Sequence, residues 1–177
     1  MSLSQGFILT VNGGSSSLKC SLFQIGPPLT PVVSCLVDRI GFPEGTLTLM
    51  DVASGTSERR TIQAAHHQDS VDLLIAWLEQ KIMITDLVAI GHRVVHGGHR
   101  YSEPQRLTPE VMGELRRLSP YDPEHLPAEI ELIETLGRRY PILPQVACFD
   151  TAFHSSSRYT PNHCQPIWCT FTVSPLS

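Results

Sequence analysis

Two short apolar stretches separated by Asn12-Gly13-Gly14 constrain this chain more than any other feature. Phe7–Val11 is an apolar run that stops at the asparagine and glycines, a strong turn signal. Beyond the turn, Ser17–Phe23 alternates: Leu18, Cys20 and Leu22 face one way, and Ser17, Lys19 and Ser21 the other. A strand, a glycine turn and a second strand of period two predict a hairpin with one buried face. Pro27-Pro28 breaks the second strand, Val32–Ile40 begins another, and Gly41, Pro43 and Gly45 turn the chain into Thr46–Met50. Helical spacing follows. Asp69 or Ser70 is the expected cap of a helix carrying Val71, Leu74, Ile75 and Leu78 on one stripe. Ile84–Val95 returns to a β-branched run. Thr108-Pro109-Glu110 opens a second helix with Val111, Leu115 and Leu118 inward. Pro127 opens a third, with Ile130, Ile133 and Leu136 inward and Gly137 as its expected stop. Gln145–Phe149 is a short buried strand that delivers Asp150. Strands alternating with helices make an α/β chain.

With 177 residues, 41% of them hydrophobic, the chain has material for one good-sized domain. A net charge of −4 gives no field for nucleic acid or an anionic membrane surface, so neither is an expected partner. No apolar run approaches the roughly 18–20 residues that cross a bilayer. Five cysteines scattered over positions 20, 35, 148, 164 and 169 make a poor disulfide framework, which points to a reducing cytoplasm. The expected division is a folded domain over 1–154 and a divergent, poorly ordered tail over 155–177. That tail holds one charge, Arg158, and no long period of either kind.

Three segments could carry chemistry. Asn12–Lys19 combines glycines, which let backbone N–H groups approach a ligand, with Ser15, Ser16, Ser17 and the point charge of Lys19. That set suits phosphate oxygens, although a plain hairpin turn of small residues explains it equally well. Gly91–His99 places Arg93 inside an apolar strand, where a guanidinium needs a partner: a carboxylate or phosphate ligand, or a structural Asp. The same segment invites a zinc reading, with His92 and His96 on one strand face, but it lacks an acidic or fourth ligand at a zinc spacing. Asp150 stands at a strand's carboxyl end, where α/β folds gather their ligands and an Asp can hold Mg²⁺, or simply cap a turn. His66-His67 reads as solvated and Trp77 as packing. His163, Cys164 and Cys169 lack zinc-motif spacing.

Together, Asn12–Lys19, Gly91–Gly98 and Phe149–His154 resemble the acetate kinase family, the acetate and propionate kinases, over roughly residues 7–154. The resemblance implies an actin-like ATPase domain, a ribonuclease H-like mixed sheet flanked by helices, as one domain of a normally two-domain enzyme. It implies reversible transfer of the γ-phosphoryl of Mg·ATP to acetate, giving acetyl phosphate and ADP. By matching position, Asn12 would help hold Mg²⁺, Ser15, Ser17 and Lys19 would contact phosphate groups, and Arg93 would bind substrate carboxylate or the phosphoryl group in flight. Asp150 would be the active-site acid and metal organiser, and Val95 would fall in the pocket for the acetate methyl. Full-length relatives would be homodimers.

The family's Leu-His-Asn-Pro stands here as Leu118-Ser119-Pro120-Tyr121-Asp122-Pro123-Glu124-His125. His125 is then a shifted counterpart of the family histidine, and Tyr121 a residue that could reshape the acyl pocket. The resemblance ends where the family continues into a second domain. The chain is therefore expected to be an inactive amino-terminal fragment of a carboxylate kinase. The alternatives are a propionate or other short-chain carboxylate kinase, a sugar kinase-type phosphotransferase, and a non-catalytic binding module that keeps the fold. An Asp-Gly-Thr phosphate loop, which the sugar-kinase reading requires, is lacking at Asn12–Ser17.

Overall fold

A computed structural model describes residues 6–151. The hairpin forms as its pattern dictates. β1 (Phe7–Gly13) and β2 (Ser17–Gln24) pair antiparallel, with Val11 opposite Cys20 and Asn12 opposite Lys19. Leu18, Cys20 and Leu22 are all buried, so the alternation marks the core face. The meander continues through β3 (Thr30–Asp38), β4 (Gly45–Asp51) and β5 (Ser57–Ile62), each antiparallel to its predecessor. β5 lies at the sheet's edge and is almost wholly exposed, which is why its sequence carries no apolar signal.

α1 (His67–Lys81) starts earlier than the expected cap at Asp69 or Ser70. The His66 N–H donates to Asp69 Oδ2 at 2.9 Å, so Asp69 caps the helix from inside its first turn, while Ser70 is buried. Leu74 and Leu78 are fully buried against the sheet, each stabilising the fold by roughly 1.5–3 kcal/mol. Trp77 is buried in the same cluster, as a packing residue. Ile84–Asp86 is a 3-10 turn, so β6 (Leu87–Val94) is shorter than the apolar run and Val95 lies past its end.

β7 (Gln105–Arg106) is a two-residue edge strand. α2 (Pro109–Leu118) begins on Thr108, whose Oγ1 accepts the Val111 N–H at 3.3 Å. α3 (Leu126–Arg139) runs through Gly137, the residue expected to end it. A Cβ there would lie 2.9 Å from Gln145 Nε2. Gly137 therefore serves as clearance: it lets the Gln145 side chain reach the Ile133 carbonyl (3.3 Å) and His92 Nε2 (2.6 Å). β8 (Gln145–Phe149) completes the sheet.

Strand order is β5-β4-β3-β2-β1-β6-β8-β7, with β1, β6 and β8 parallel. The inner run β3-β2-β1-β6-β8, three antiparallel strands followed by two parallel ones, is the mixed sheet expected of a ribonuclease H-like domain. Ile90, Val94, Ala147 and Phe149 point to the face on which the helices pack, so Arg93 and Cys148, their alternates, point to the other. Among the described residues no helix is long and apolar enough to cross a membrane.

Candidate active site

Parallel strands carry their carboxyl ends to one side of a sheet, and β1, β6 and β8 do so here with Asn12, Arg93 and Asp150. Asp150 is locked at the tip of β8 by its own N–H, which donates to the Val94 carbonyl at 3.1 Å. Its carboxylate receives the Arg93 guanidinium two-handed: Nε donates to Oδ1 at 3.1 Å and Nη2 to Oδ2. Nη1 donates to Asn12 Oδ1 at 3.2 Å. Three residues 81 and 57 positions apart along the chain thus meet around one cation. The pair is about one-third exposed (32% and 36%), so Arg93 is not the buried guanidinium that an apolar strand suggests. β6 is flanked there by strand ends, not by strand middles, and water reaches the side chain. Guanidinium carries five N–H donors; Asp150 and Asn12 engage three, leaving two for an anion among the described residues.

The serine bend sits beside this group. The Gly14 N–H donates to the Ser17 carbonyl (2.7 Å), closing the hairpin, and the Ile40 N–H donates to the Ser16 carbonyl (2.9 Å). Ser15 and Lys19 are exposed, Ser17 half-buried, and Lys19 is the cross-strand neighbour of Asn12. A hollow of about 170 Å³ lies on this patch, lined by Thr10, Asn12, Lys19 and Ser21. A larger one, about 400 Å³, lies at the far edge between β5 and α1; Trp77, read from the sequence as packing, is in its wall, and none of the candidate site residues is. His67 is not simply solvated: its Nε2 lies 3.1 Å from the Ser15 carbonyl, so it holds the bend from α1. A carbonyl only accepts, so Nε2 carries the proton.

The loop after β6 is fixed by buried contacts. Glu129, on the first turn of α3 and 2% exposed, accepts the Val95 N–H on Oε2 at 3.2 Å; its Oε1 has no hydrogen-bond partner among the described residues. Burial is the main cause that pushes the Glu129 carboxyl up to about 7, against the pull of the Val95 amide and Arg93; Asp122 and Asp150 push the same way as burial. Gly98 has φ +66°, and a Cβ there would lie 2.9 Å from Leu118 Cδ1. Gly98→Ala is expected to cost about 1–2 kcal/mol from the left-handed backbone alone, read as a lower urea midpoint with unchanged slope.

The three histidines of this segment do not share a face. β6 ends at Val94, and His92 is buried on the face where the helices pack, its Nε2 on Gln145 and its pKa pushed down to about 4 by burial. His96 instead accepts the Gly98 N–H on Nδ1 (3.2 Å) and has Nε2 4.0 Å from Asp122, while His99 is exposed. His125 is the half-buried residue just before α3, its carbonyl accepting the Glu129 N–H at 3.1 Å. Tyr121 is 79% exposed and walls no enclosed pocket among the described residues. His154, His163 and the segment 155–177 lie outside the described residues.

A model of the acetokinase family matches residues 7–162. An acetate kinase of Sulfurovum sp. is 40% identical over 152 residues, covering 84% of this chain and 37% of its own; one of Deinococcus radiodurans is 40% identical over 149 residues, covering 84% and 36%. The chain therefore spans under two-fifths of these relatives' length. Among solved structures, a propionate kinase from Francisella tularensis superposes with TM-score 0.76 at 30% identity, over 94% of this chain and 42% of that one. Acetate kinase from Porphyromonas gingivalis also gives 0.76, at 28% identity, over 84% and 38%. The fold is thus that of acetate and propionate kinases, as one part of a longer architecture. The chain belongs to the acetokinase family.

Proposed function

We propose that this chain is the amino-terminal half-site of a carboxylate kinase that passes the γ-phosphoryl of Mg·ATP reversibly to acetate. The observation that carries the reading is the meeting of Asn12, Arg93 and Asp150 beside Lys19. Acetate is ionised at neutral pH, so its carboxylate oxygen attacks phosphorus with no proton to lose, the bond to the ADP oxygen breaks, and no general base is needed. The obstacle is bringing two anions together. Arg93 answers it with its two unengaged N–H donors, while Asp150 holds the guanidinium plane in register. Ser15, Ser17 and Lys19 contact the nucleotide phosphates, and Val95 lies against the acyl methyl.

Magnesium fits this donor set. Among the described residues no three His, Cys, Asp or Glu side chains cluster as a metal cage. Asn12 Oδ1 and the Asp150 carboxylate are hard oxygens in the small number Mg²⁺ takes when phosphates and water supply the rest. Bound there with the nucleotide, the ion would neutralise phosphate charge. Propionate is the alternative acid, favoured by the likeness to the Francisella propionate kinase. The chain is a cytoplasmic piece of a homodimeric enzyme in this reading.

Because the chain spans 37% of the Sulfurovum enzyme, the half-site alone is expected to release no ADP from ATP and acetate. Restoring a relative's carboxyl portion is expected to restore turnover in a coupled ADP assay. An inert restored chain, folded by circular dichroism, would favour the non-catalytic binding module instead.

A further inference from the structure

We infer that Glu129 is a positioning residue that sets the acyl size limit of the site by fixing the backbone at Val95. This inference rests on the carboxylate reading above. Pairing between β1 and β6 ends at Val11 and His92, and β6 itself ends at Val94. Beyond that point the strand ladder no longer holds the chain. Val95, two residues past Arg93, stands in the bend that follows β6, so the spacing between a gripped carboxylate and its methyl depends on where residue 95 sits. The Val94–Val95 peptide is held from two sides: the Asp150 N–H donates to the Val94 carbonyl at 3.1 Å, and Glu129 Oε2 accepts the Val95 N–H at 3.2 Å from inside the core. The element presenting it is rigid, with Leu126, Ile130 and Ile133 of α3 buried around the same turn. A carboxyl at a core position, 2% exposed and with its second oxygen unpartnered among the described residues, is a costly choice for packing alone. Arg93, Asp122 and Asp150 are the charged groups that act on it.

The test uses the 177-residue chain, 15N-labelled, as wild type, Glu129→Ala and Glu129→Gln. Amide exchange at Val95 is measured alongside titrations with sodium acetate, propionate and butyrate followed at the Arg93 and Val95 amides. In Glu129→Ala, Val95 exchange is expected to rise about fivefold or more, the worth of one lost hydrogen bond, and the preference among the three acids is expected to collapse towards one. Glu129→Gln keeps an acceptor for the Val95 N–H and is expected to hold both within about twofold of wild type. Unchanged Val95 exchange in a folded Glu129→Ala overturns the inference. So does faster exchange with an unaltered preference, which makes the contact merely structural. A wild-type chain that binds all three acids alike also overturns it, while leaving the carboxylate reading in place. A wild-type chain that binds none defeats that reading and this inference with it.

Discussion

Arg93→Ala, made in a chain carrying a restored carboxyl portion, is expected to lower turnover by about 10²–10⁴-fold: removing one preorganised donor aimed at developing charge costs about 10²–10³, and Arg93 offers two. The competing reading is the one the sequence already raised, that Arg93 is a structural partner for an Asp. Arg93 does bond Asp150 with two nitrogens, so the contact alone does not discriminate. Exposure does. With about a third of each side chain open to water, the pair contributes on the order of 0–1 kcal/mol to stability, too little to explain an arginine inside an apolar strand. The two readings therefore separate by measurement. A functional Arg93 leaves the melting temperature of Arg93→Ala nearly unchanged while kcat falls; a structural one does the reverse. Arg93→Lys sharpens the comparison, because a point charge remains but the fork that reaches Asp150 and Asn12 together is lost. Turnover in that variant is expected to stay well below wild type.

Much of this architecture could be read from local pattern. Leu18, Cys20 and Leu22 alternate because one face of β2 is core, and Leu74 and Leu78 recur at helical spacing because one face of α1 is. The site residues were legible for a related reason: Arg93 and Asp150 are polar interruptions of apolar runs, which local burial alone does not explain. What escaped was whatever depends on a distant neighbour. β5 has no buried face, so Ser57–Ile62 looks like loop until β4 pairs with it. Gly137 looks like a helix stop, and only the packing of Gln145 against α3 shows why the helix continues through it. His67 gains its role from Ser15, 52 residues away. Glu129 resembles the exposed Glu131 two positions on, yet a signal was present. Position 129 is three residues past Leu126 and four before Ile133, so it falls on the stripe that faces the core.

That buried acid gives the second large effect: Glu129→Gln is expected to change how the chain's stability depends on pH. A carboxyl raised from 4.5 to about 7 by burial keeps its proton in the folded chain over a window where the unfolded chain has lost it. Between those values the native state binds more protons, so stability falls as pH rises from about 4.5 to 7 and levels off above. The shift of roughly 2.5 pH units corresponds to about 3 kcal/mol, an order-of-magnitude figure. Gln cannot titrate but still offers an oxygen to the Val95 N–H. Any fixed cost of its amide N–H₂ is the same at every pH. The difference in unfolding free energy between the variant and wild type is thus expected to move by about 3 kcal/mol in the variant's favour between pH 4 and pH 8, read from urea unfolding across that range. Asp122 and Asp150 raise the Glu129 carboxyl and Arg93 lowers it, so Arg93→Ala is expected to push the wild-type transition to still higher pH. A difference that stays flat across the window would mean that Glu129 is ionised in the folded chain. Its unpartnered oxygen would then need a cationic or hydrogen-bonding neighbour beyond residues 6–151.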